Sequence, residues 1–204
     1  MAKTVGIVLL YGLFSPRRKD YKEYLDFIAK EIKQRKVDKL FLCGGFTDPK
    51  KLKLSEASTA EDYLKTRTKF NNYELEDKSI NTNQNLEFVA KKLKLSPKDK
   101  VVVYCDLTRK AKVIWIALHF ILGLKPRIIY KLFLDFASGK DIYADFSFKN
   151  VTVKGFDFPG KSKEEMIGQT YATLIDAMAL YDKEVENMDI TQRKKDFGLP
   201  LEGK

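Results

Sequence analysis

The segment Glu76-Asp-Lys-Ser-Ile-Asn-Thr-Asn-Gln-Asn85 is almost wholly polar, yet it lies between an extended run and a helical one. Residues 72–75 precede it with strand character, and residues 86–95 follow it with apolar side chains at helical spacing. Asn81, followed three residues later by Gln84, is the pattern of a helix N-cap. Backbone N–H groups at the start of such a helix are unpaired and point at whatever lies in front of them. The segment therefore predicts either a strand-to-helix turn that can hold a ligand or a well-capped surface helix.

Strand-like and helix-like segments alternate on both sides of this turn. Apolar runs typical of buried strands occur at residues 4–11, 39–43, 73–75, 100–105, 127–133 and 151–158. Apolar side chains at helical spacing, or helix-capping residues, mark 20–35, 56–66, 86–95, 111–122 and 162–186. This alternation predicts an α/β fold, a Rossmann-like three-layer sandwich in which helices cover both faces of a mostly parallel sheet. We expect a single domain over residues 1–186 and a polar C-terminal tail over 187–204.

Composition is that of a soluble globular protein, with 204 residues and 44% hydrophobic side chains. No run of 18 apolar residues predicts a membrane span, and the N-terminus does not have the pattern of a signal peptide, so we expect a cytoplasmic protein. The two cysteines, Cys43 and Cys105, are too few for a disulfide framework and match no metal motif. We expect both to be buried free thiols.

The formal net charge is +10, which makes nucleic acid a candidate partner. Counting the sequence gives seven arginines, so 38 − 7 = 31 of the basic residues are lysines, and they are scattered along the chain. Proteins that read bases rely on arginine, and single-strand binders rely on exposed stacking rings. A lysine-rich solvated surface accounts for this distribution at least as well.

Polar residues cluster after four of the predicted strands. In open parallel sheets, ligands bind beyond the carboxyl ends of the strands, so the clusters predict one shared ligand site. The candidate ligand-binding residues are Gly12, Arg17, Gly44, Gly45, Ser55, Glu56, Glu76, Ser79, Asn81, Thr82, Asn85, Asp106 and Arg109.

The residue types in these clusters suit an anionic ligand. Glycines directly after a strand let the backbone approach a ligand and expose its N–H groups. Arg17 or Arg18, with Arg109 and Lys110, would add the charge that phosphate or carboxylate recognition requires, or would form salt bridges to the nearby carboxylates. Those carboxylates, chiefly Glu56 and Glu76, are candidates to accept hydrogen bonds from ligand hydroxyl groups and to act as the catalytic acid or base. The alternative is that they bind a divalent metal ion.

Several common chemistries have no support in the sequence. It contains no Walker motif and no G-x-G-x-x-G fingerprint, so a standard dinucleotide cofactor is not expected. The only histidine, His119, lies in an apolar helical segment, and we expect it to pack in the core or at its edge rather than to act as a catalyst, and Trp115 to lie in the core. Without a second histidine, zinc and histidine-assisted nucleophiles are unsupported, and no metal site is assigned beyond the alternative of a divalent metal ion at the carboxylates.

Three of the clusters together resemble a known family. The resemblance is carried by the succession Gly44-Gly45, then Ser55-Glu56-Ala57, then Glu76-x-x-Ser79-x-Asn81-Thr82-x-x-Asn85, then a strand followed by Arg109. In these residues the chain resembles the domain-of-unknown-function family typified by the bacterial YdcF, SanA and ElyC proteins. The resemblance covers roughly residues 4–130. Family members commonly carry a histidine after the fourth strand, where this chain has Asp106-Leu107-Thr108.

The resemblance implies a Rossmann-like domain with a cleft for an anionic or nucleotide-like ligand, S-adenosylmethionine being a ligand type suspected for the family. An envelope role is not implied, since this chain shows no membrane anchor. The leading hypothesis is a cytoplasmic protein that binds a small phosphorylated or nucleotide-like ligand. The alternatives are a hydrolase or transferase that uses Glu56 or Glu76 on a phosphorylated or nucleotide substrate, and a basic protein associated with nucleic acid.

Overall fold

The computed structural model describes residues 2–137, 144–159 and 161–201, with the backbone alone for 133–137. Within these ranges, six strands form one sheet in the order β3-β2-β1-β4-β6-β5. The strands are β1 Thr4–Leu9, β2 Lys39–Cys43, β3 Tyr73–Glu76, β4 Lys100–Asp106, β5 Phe146–Phe148 and β6 Val151–Phe156. The helices are α1 Lys19–Gln34, α2 Glu56–Arg67, α3 Thr82–Lys92, α4 Lys110–Phe120, α5 Pro126–Ala137, α6 Lys163–Ala179 and α7 Lys183–Asp196.

The sheet is parallel except at one edge, where β5 pairs antiparallel with β6. Its two faces bury separate apolar clusters, because successive strand residues point to opposite sides. Ile7 and Leu9 of β1 pack with α3, α4 and α5, whereas Val8 of the same strand packs with α1 and α2. The predicted Rossmann-like three-layer sandwich is therefore confirmed.

The predicted strand at residues 127–133 is wrong, because this segment forms α5. Pro126 occupies the first helical position, where its missing N–H costs no hydrogen bond. Ile129 is fully buried and Leu132 packs against the core, whereas Ile128 and Tyr130 are about half exposed. The inward-facing residues thus follow a helical period, although the run of apolar and β-branched residues resembles a strand in the sequence.

The long helix predicted over residues 162–186 is two helices. Ser162 caps α6 as predicted, in a capping box with Glu165, but α6 ends at Ala179. Asp182 then caps α7 by accepting hydrogen bonds from the N–H groups of Glu184 and Val185. The boundary drawn at residue 186 between domain and tail therefore falls inside α7.

Both cysteines are buried free thiols, as expected. Burial raises the pKa of the Cys105 thiol to about 12, so it stays protonated and is a poor nucleophile at neutral pH. His119 is half-buried, in keeping with the expected edge position. Trp115, expected in the core, is also only half-buried, and its Nε1–H donates to the Tyr181 hydroxyl at 2.6 Å. In the described part of the chain, no helix is long and apolar enough to cross a membrane.

Candidate functional site

A cleft of about 380 Å³ lies beyond the carboxyl ends of the central strands. The order of the sheet reverses here, since β1 is followed along the chain by β2 on one side and is paired with β4 on the other. The cleft is lined by Leu10, Tyr11, Gly12, Arg18, Gly44, Gly45, Thr47, Glu56, Ser79, Ile80, Asn81, Thr82, Asn85, Arg109, Arg193 and Phe197.

Gly44 and Gly45 bring the backbone after β2 into close contact with two neighbouring segments. The Gly44 N–H donates to the Glu76 carbonyl at 2.9 Å, and the Gly45 carbonyl accepts from the Glu56 N–H at 2.9 Å. A Cβ atom on Gly45 would overlap the carbonyl oxygen of Ser79 and lie 3.1 Å from that of Asp77. Only glycine fits at this position, and both glycines line the cleft.

Glu56 is the carboxylate of the cleft and is 7% exposed. It begins α2, directly after the N-cap Ser55, and its Oε1 accepts a hydrogen bond from the Thr47 hydroxyl at 2.5 Å. Burial raises the pKa of Glu56 above the ordinary glutamate value, while this hydrogen bond, one from the Gly12 backbone and the charge of Arg109 oppose that shift. A buried carboxyl group with a raised pKa can bind a hydroxyl group or exchange a proton with a ligand.

The N-terminus of α3 also lines the cleft. Asn81 is the N-cap and accepts from the Gln84 N–H at 2.9 Å, while the Gln84 side chain accepts from the Ile80 N–H at 2.9 Å. This reciprocal pair confirms the predicted cap. Ser79 donates its hydroxyl to the Asn85 side-chain oxygen, which fixes both side chains at the cleft.

Three guanidinium groups surround the cleft. Arg109 donates from Nε to the Gln169 side-chain oxygen at 2.7 Å and lies over the Tyr11 ring, 4.7 Å from its centroid. Arg18 donates to the Tyr11 carbonyl at 3.3 Å and pairs with Asp20 at 2.9 Å.

The third, Arg193, comes from α7 and pairs with Asp189 and Asp176. Arg109 differs from the other two because, among the residues that the structure describes, no carboxylate oxygen lies within 4.0 Å of its guanidinium nitrogens.

Nine of the thirteen residues predicted from the sequence line this cleft. They are Gly12, Gly44, Gly45, Glu56, Ser79, Asn81, Thr82, Asn85 and Arg109.

The other four predicted residues lie outside this lining. Ser55 caps α2, and Glu76 accepts from the N–H groups of Lys78 and Ser79, both at 3.1 Å, within the turn before α3. Asp106 accepts from the Thr108 N–H at 2.9 Å and forms an ion pair with Lys161. Arg17 lines a neighbouring cavity of about 510 Å³ that shares Tyr11 with the cleft.

Sequence reasoning missed the contribution of the C-terminal helix. Arg193 and Phe197 line the cleft, and the Asp189 carboxylate of α7 accepts a hydrogen bond from the Asn81 Nδ2 at 2.8 Å. Asp182 is of a residue type that commonly caps helices, so a helix in this region could be predicted from the sequence. Nothing in the local sequence indicates that this helix packs against the start of α3. The supposed tail is part of the site.

In the described ranges, no group of three or more histidine, cysteine, aspartate or glutamate side chains could hold a metal ion. Comparison of the chain with protein-family models, with curated proteins and with solved structures finds no match.

Proposed function

We propose that the cleft binds a small anionic, nucleotide-like ligand. Three arginines line the cleft, and two of them, Arg18 and Arg193, form ion pairs with carboxylates outside its lining. The observation that carries this proposal is the third, Arg109, in a cleft whose described lining contains one carboxylate, Glu56. Arg109 in particular has no carboxylate within ion-pairing distance in the described part of the chain. A guanidinium held in place by Gln169 and Tyr11 is ready to bind phosphate or carboxylate in a forked geometry.

The chemistry around Arg109 suggests how the ligand would be oriented. Its anionic group would bind Arg109, Arg18 and the backbone beside Gly45. Hydroxyl groups would donate to Glu56, and the amide groups at the start of α3 would provide further hydrogen bonds. The rings of Tyr11 and Phe197 offer flat apolar surface for a base.

The resemblance to the YdcF, SanA and ElyC proteins supports the same proposal. The residues that carry it, from Gly44 to Asn85, include seven that line the cleft: Gly44, Gly45, Glu56, Ser79, Asn81, Thr82 and Asn85. We therefore propose membership of that family, with S-adenosylmethionine as a candidate ligand beside the nucleotides. Free buried thiols are typical of a reducing compartment, which favours action in the cytoplasm.

A second candidate is a hydrolase or transferase in which Glu56 is the acid or base. Burial raises the pKa of Glu56, and such a shift brings a carboxyl group toward the range useful for proton transfer near neutral pH. Glu76 does not take this role in the proposal, because it lies outside the lining of the cleft and its carboxylate accepts two backbone N–H groups. A catalytic Mg²⁺ would have to be carried largely by ligand phosphates, since the described lining supplies one carboxylate.

A thermal-shift screen tests the binding proposal. The panel contains adenosine and guanosine nucleotides, S-adenosylmethionine, sugar phosphates and inorganic pyrophosphate, each with and without Mg²⁺. A ligand that binds the native state raises the melting temperature by mass action. We expect a shift in the wild type and in Arg127→Gln, a matched control at an exposed position of α5, and loss of the shift in Arg109→Gln.

The same screen separates the alternatives. Turnover of a bound nucleotide that disappears in Glu56→Gln, while binding remains, would establish the hydrolase or transferase. An absence of any shift across the panel would contradict the small-ligand proposal. Binding of an oligonucleotide that falls steeply with salt and is unchanged in Arg109→Gln would favour the lysine-rich surface instead.

A further inference from the structure

The outer face of α6 is apolar and exposed. Ile167, Tyr171, Leu174 and Met178, with Tyr181 just beyond the end of the helix, form what we call the α6 stripe; each is between 48% and 64% exposed. Met166 and Ile175 flank the stripe and are also exposed. A surface helix normally places charged and polar residues on this side.

The other face of α6 already packs against the domain. Gln169 accepts from Arg109, Asp176 pairs with Lys112 of α4, and Ala179 is buried. At Tyr181 the stripe also contacts α4, because the Tyr181 hydroxyl accepts from the Trp115 Nε1–H at 2.6 Å, whereas the other four members of the α6 stripe lie outside these contacts. Its members are spaced by four, three, four and three residues, which is the seam of a two-helix coiled coil.

The five residues of the α6 stripe together expose roughly 600 Å², and Met166 and Ile175 lie at its two margins, on opposite sides of the helix. The largest apolar patch on a typical monomer is about 300–600 Å². A patch of this size on one helix therefore calls for a partner that buries it.

The stripe is self-complementary about its centre. If two copies of α6 lie antiparallel with Leu174 at the two-fold axis, Ile167 faces Tyr181 and Tyr171 faces Met178 of the other copy. Matching of a surface with itself is the requirement for a two-fold interface.

A lipid surface fits the stripe less well. Helices that lie on anionic membranes carry lysine and arginine along their polar face. The exposed start of α6 instead carries Glu164 and Glu165 against Lys163. We infer that the α6 stripe is the interface of an antiparallel homodimer, with Leu174 at its two-fold axis.

Light scattering coupled to size-exclusion chromatography tests the interface. We expect wild-type protein to have twice the chain mass of 23.6 kDa, and Leu174→Glu to have the mass of one chain. Leu52→Glu makes the same substitution at a similarly exposed leucine outside α6 and should keep the double mass. A wild-type mass of one chain at about 100 µM, or a double mass retained by Leu174→Glu, would overturn the proposal.

Cysteine cross-linking tests the orientation independently of stability. Both natural cysteines are fully buried, so an introduced surface thiol reports on its own surroundings. Oxidation should link two chains of Leu174→Cys, because position 174 meets itself at the axis. Lys163→Cys should not link, because eleven residues from the axis at 1.5 Å per residue leaves the two thiols about 33 Å apart. Cross-linking of Lys163→Cys as well as Leu174→Cys would indicate parallel helices, in which every position meets its own copy, and would contradict this geometry.

Discussion

Asp176→Asn is expected to destabilise the protein by about 3–5 kcal/mol, because it removes the charge that compensates a buried lysine. The Asp176 and Lys112 side chains form an ion pair at 2.5 Å and are 1% and 3% exposed. Asparagine preserves the shape of the side chain but leaves the Lys112 ammonium without its counter-charge. At about 2–4 °C per kcal/mol for a chain of this length, the melting temperature should fall by about 6–20 °C.

The pH dependence of this loss follows from the pKa of Lys112. Burial lowers that pKa in the native protein although Asp176 opposes the shift, and without Asp176 the lowering should be larger. A lysine with a lowered pKa binds fewer protons in the folded state than in the unfolded state, so stability rises with pH up to the unfolded value of 10.5. The deficit of Asp176→Asn relative to wild type should therefore shrink as the pH rises from 7 toward 10.

Urea unfolding followed by circular dichroism measures the effect in wild type, Asp176→Asn, Lys112→Met and the double variant. The double variant should be more stable than Asp176→Asn, because it removes the uncompensated charge as well. Asp62→Asn, at an exposed position of α2, is the matched control and should stay within about 0.5 kcal/mol of wild type. A loss below about 1 kcal/mol in Asp176→Asn, or purely additive effects in the double variant, would refute the reasoning.

Two further substitutions test the construction of the cleft. Gly45→Ala should lower the free energy of unfolding in urea by about 1–3 kcal/mol, because its Cβ overlaps the Ser79 carbonyl oxygen. The control, Gly168→Ala, places a Cβ where nothing lies within 4 Å and should stabilise the protein by about 0.5–1 kcal/mol. Equal effects of the two substitutions would contradict the close approach at Gly45. Glu56→Gln should raise the free energy of unfolding at pH 7, because the raised pKa of Glu56 means that its ionised form is disfavoured in the folded protein. That gain should disappear as the pH falls below about 4.5, where the carboxyl group is protonated in both states, and a variant less stable than wild type at pH 7 would count against it.

The parts of the fold that sequence reasoning predicted are those specified by local patterns. Asn81 and Gln84 identify the start of α3, and Gly44-Gly45 marks the close approach after β2, because each depends on neighbours within a few residues. Assembly of these turns into one cleft then follows from the parallel sheet, whose strand ends meet at one edge.

The errors concern information that the local sequence does not contain. Ile128 and Ile129 have the side chains of a strand, but α4 ends at Phe120, Gly123 turns the chain with a positive φ, and Pro126 starts a new helix. The position of α7 depends on contacts such as that between Asn81 and Asp189, which are 108 residues apart. No periodicity in the sequence encodes such a pairing.

Glu76 illustrates a different limit. Its polar surroundings in the sequence suggest a ligand contact, but it lies outside the lining of the cleft, and its Oε1 accepts two backbone N–H groups of the following turn. Ser55 and Asp106 are likewise used as caps. A residue type suited to ligand binding is also suited to satisfying backbone groups, and only the three-dimensional arrangement separates the two roles.

Calorimetric titration with adenosine 5′-diphosphate, in wild type, Arg109→Gln and Arg127→Gln, tests the central claim most directly. Loss of a charge-assisted hydrogen bond at about 1.5–3 kcal/mol corresponds to a dissociation constant weakened roughly 10- to 150-fold. We predict saturable binding to wild type and Arg127→Gln with the same affinity. Only Arg109→Gln should show the weakened dissociation constant. No heat of binding in wild type, or the same affinity in all three proteins, would contradict an anion-binding, nucleotide-type cleft organised around Arg109.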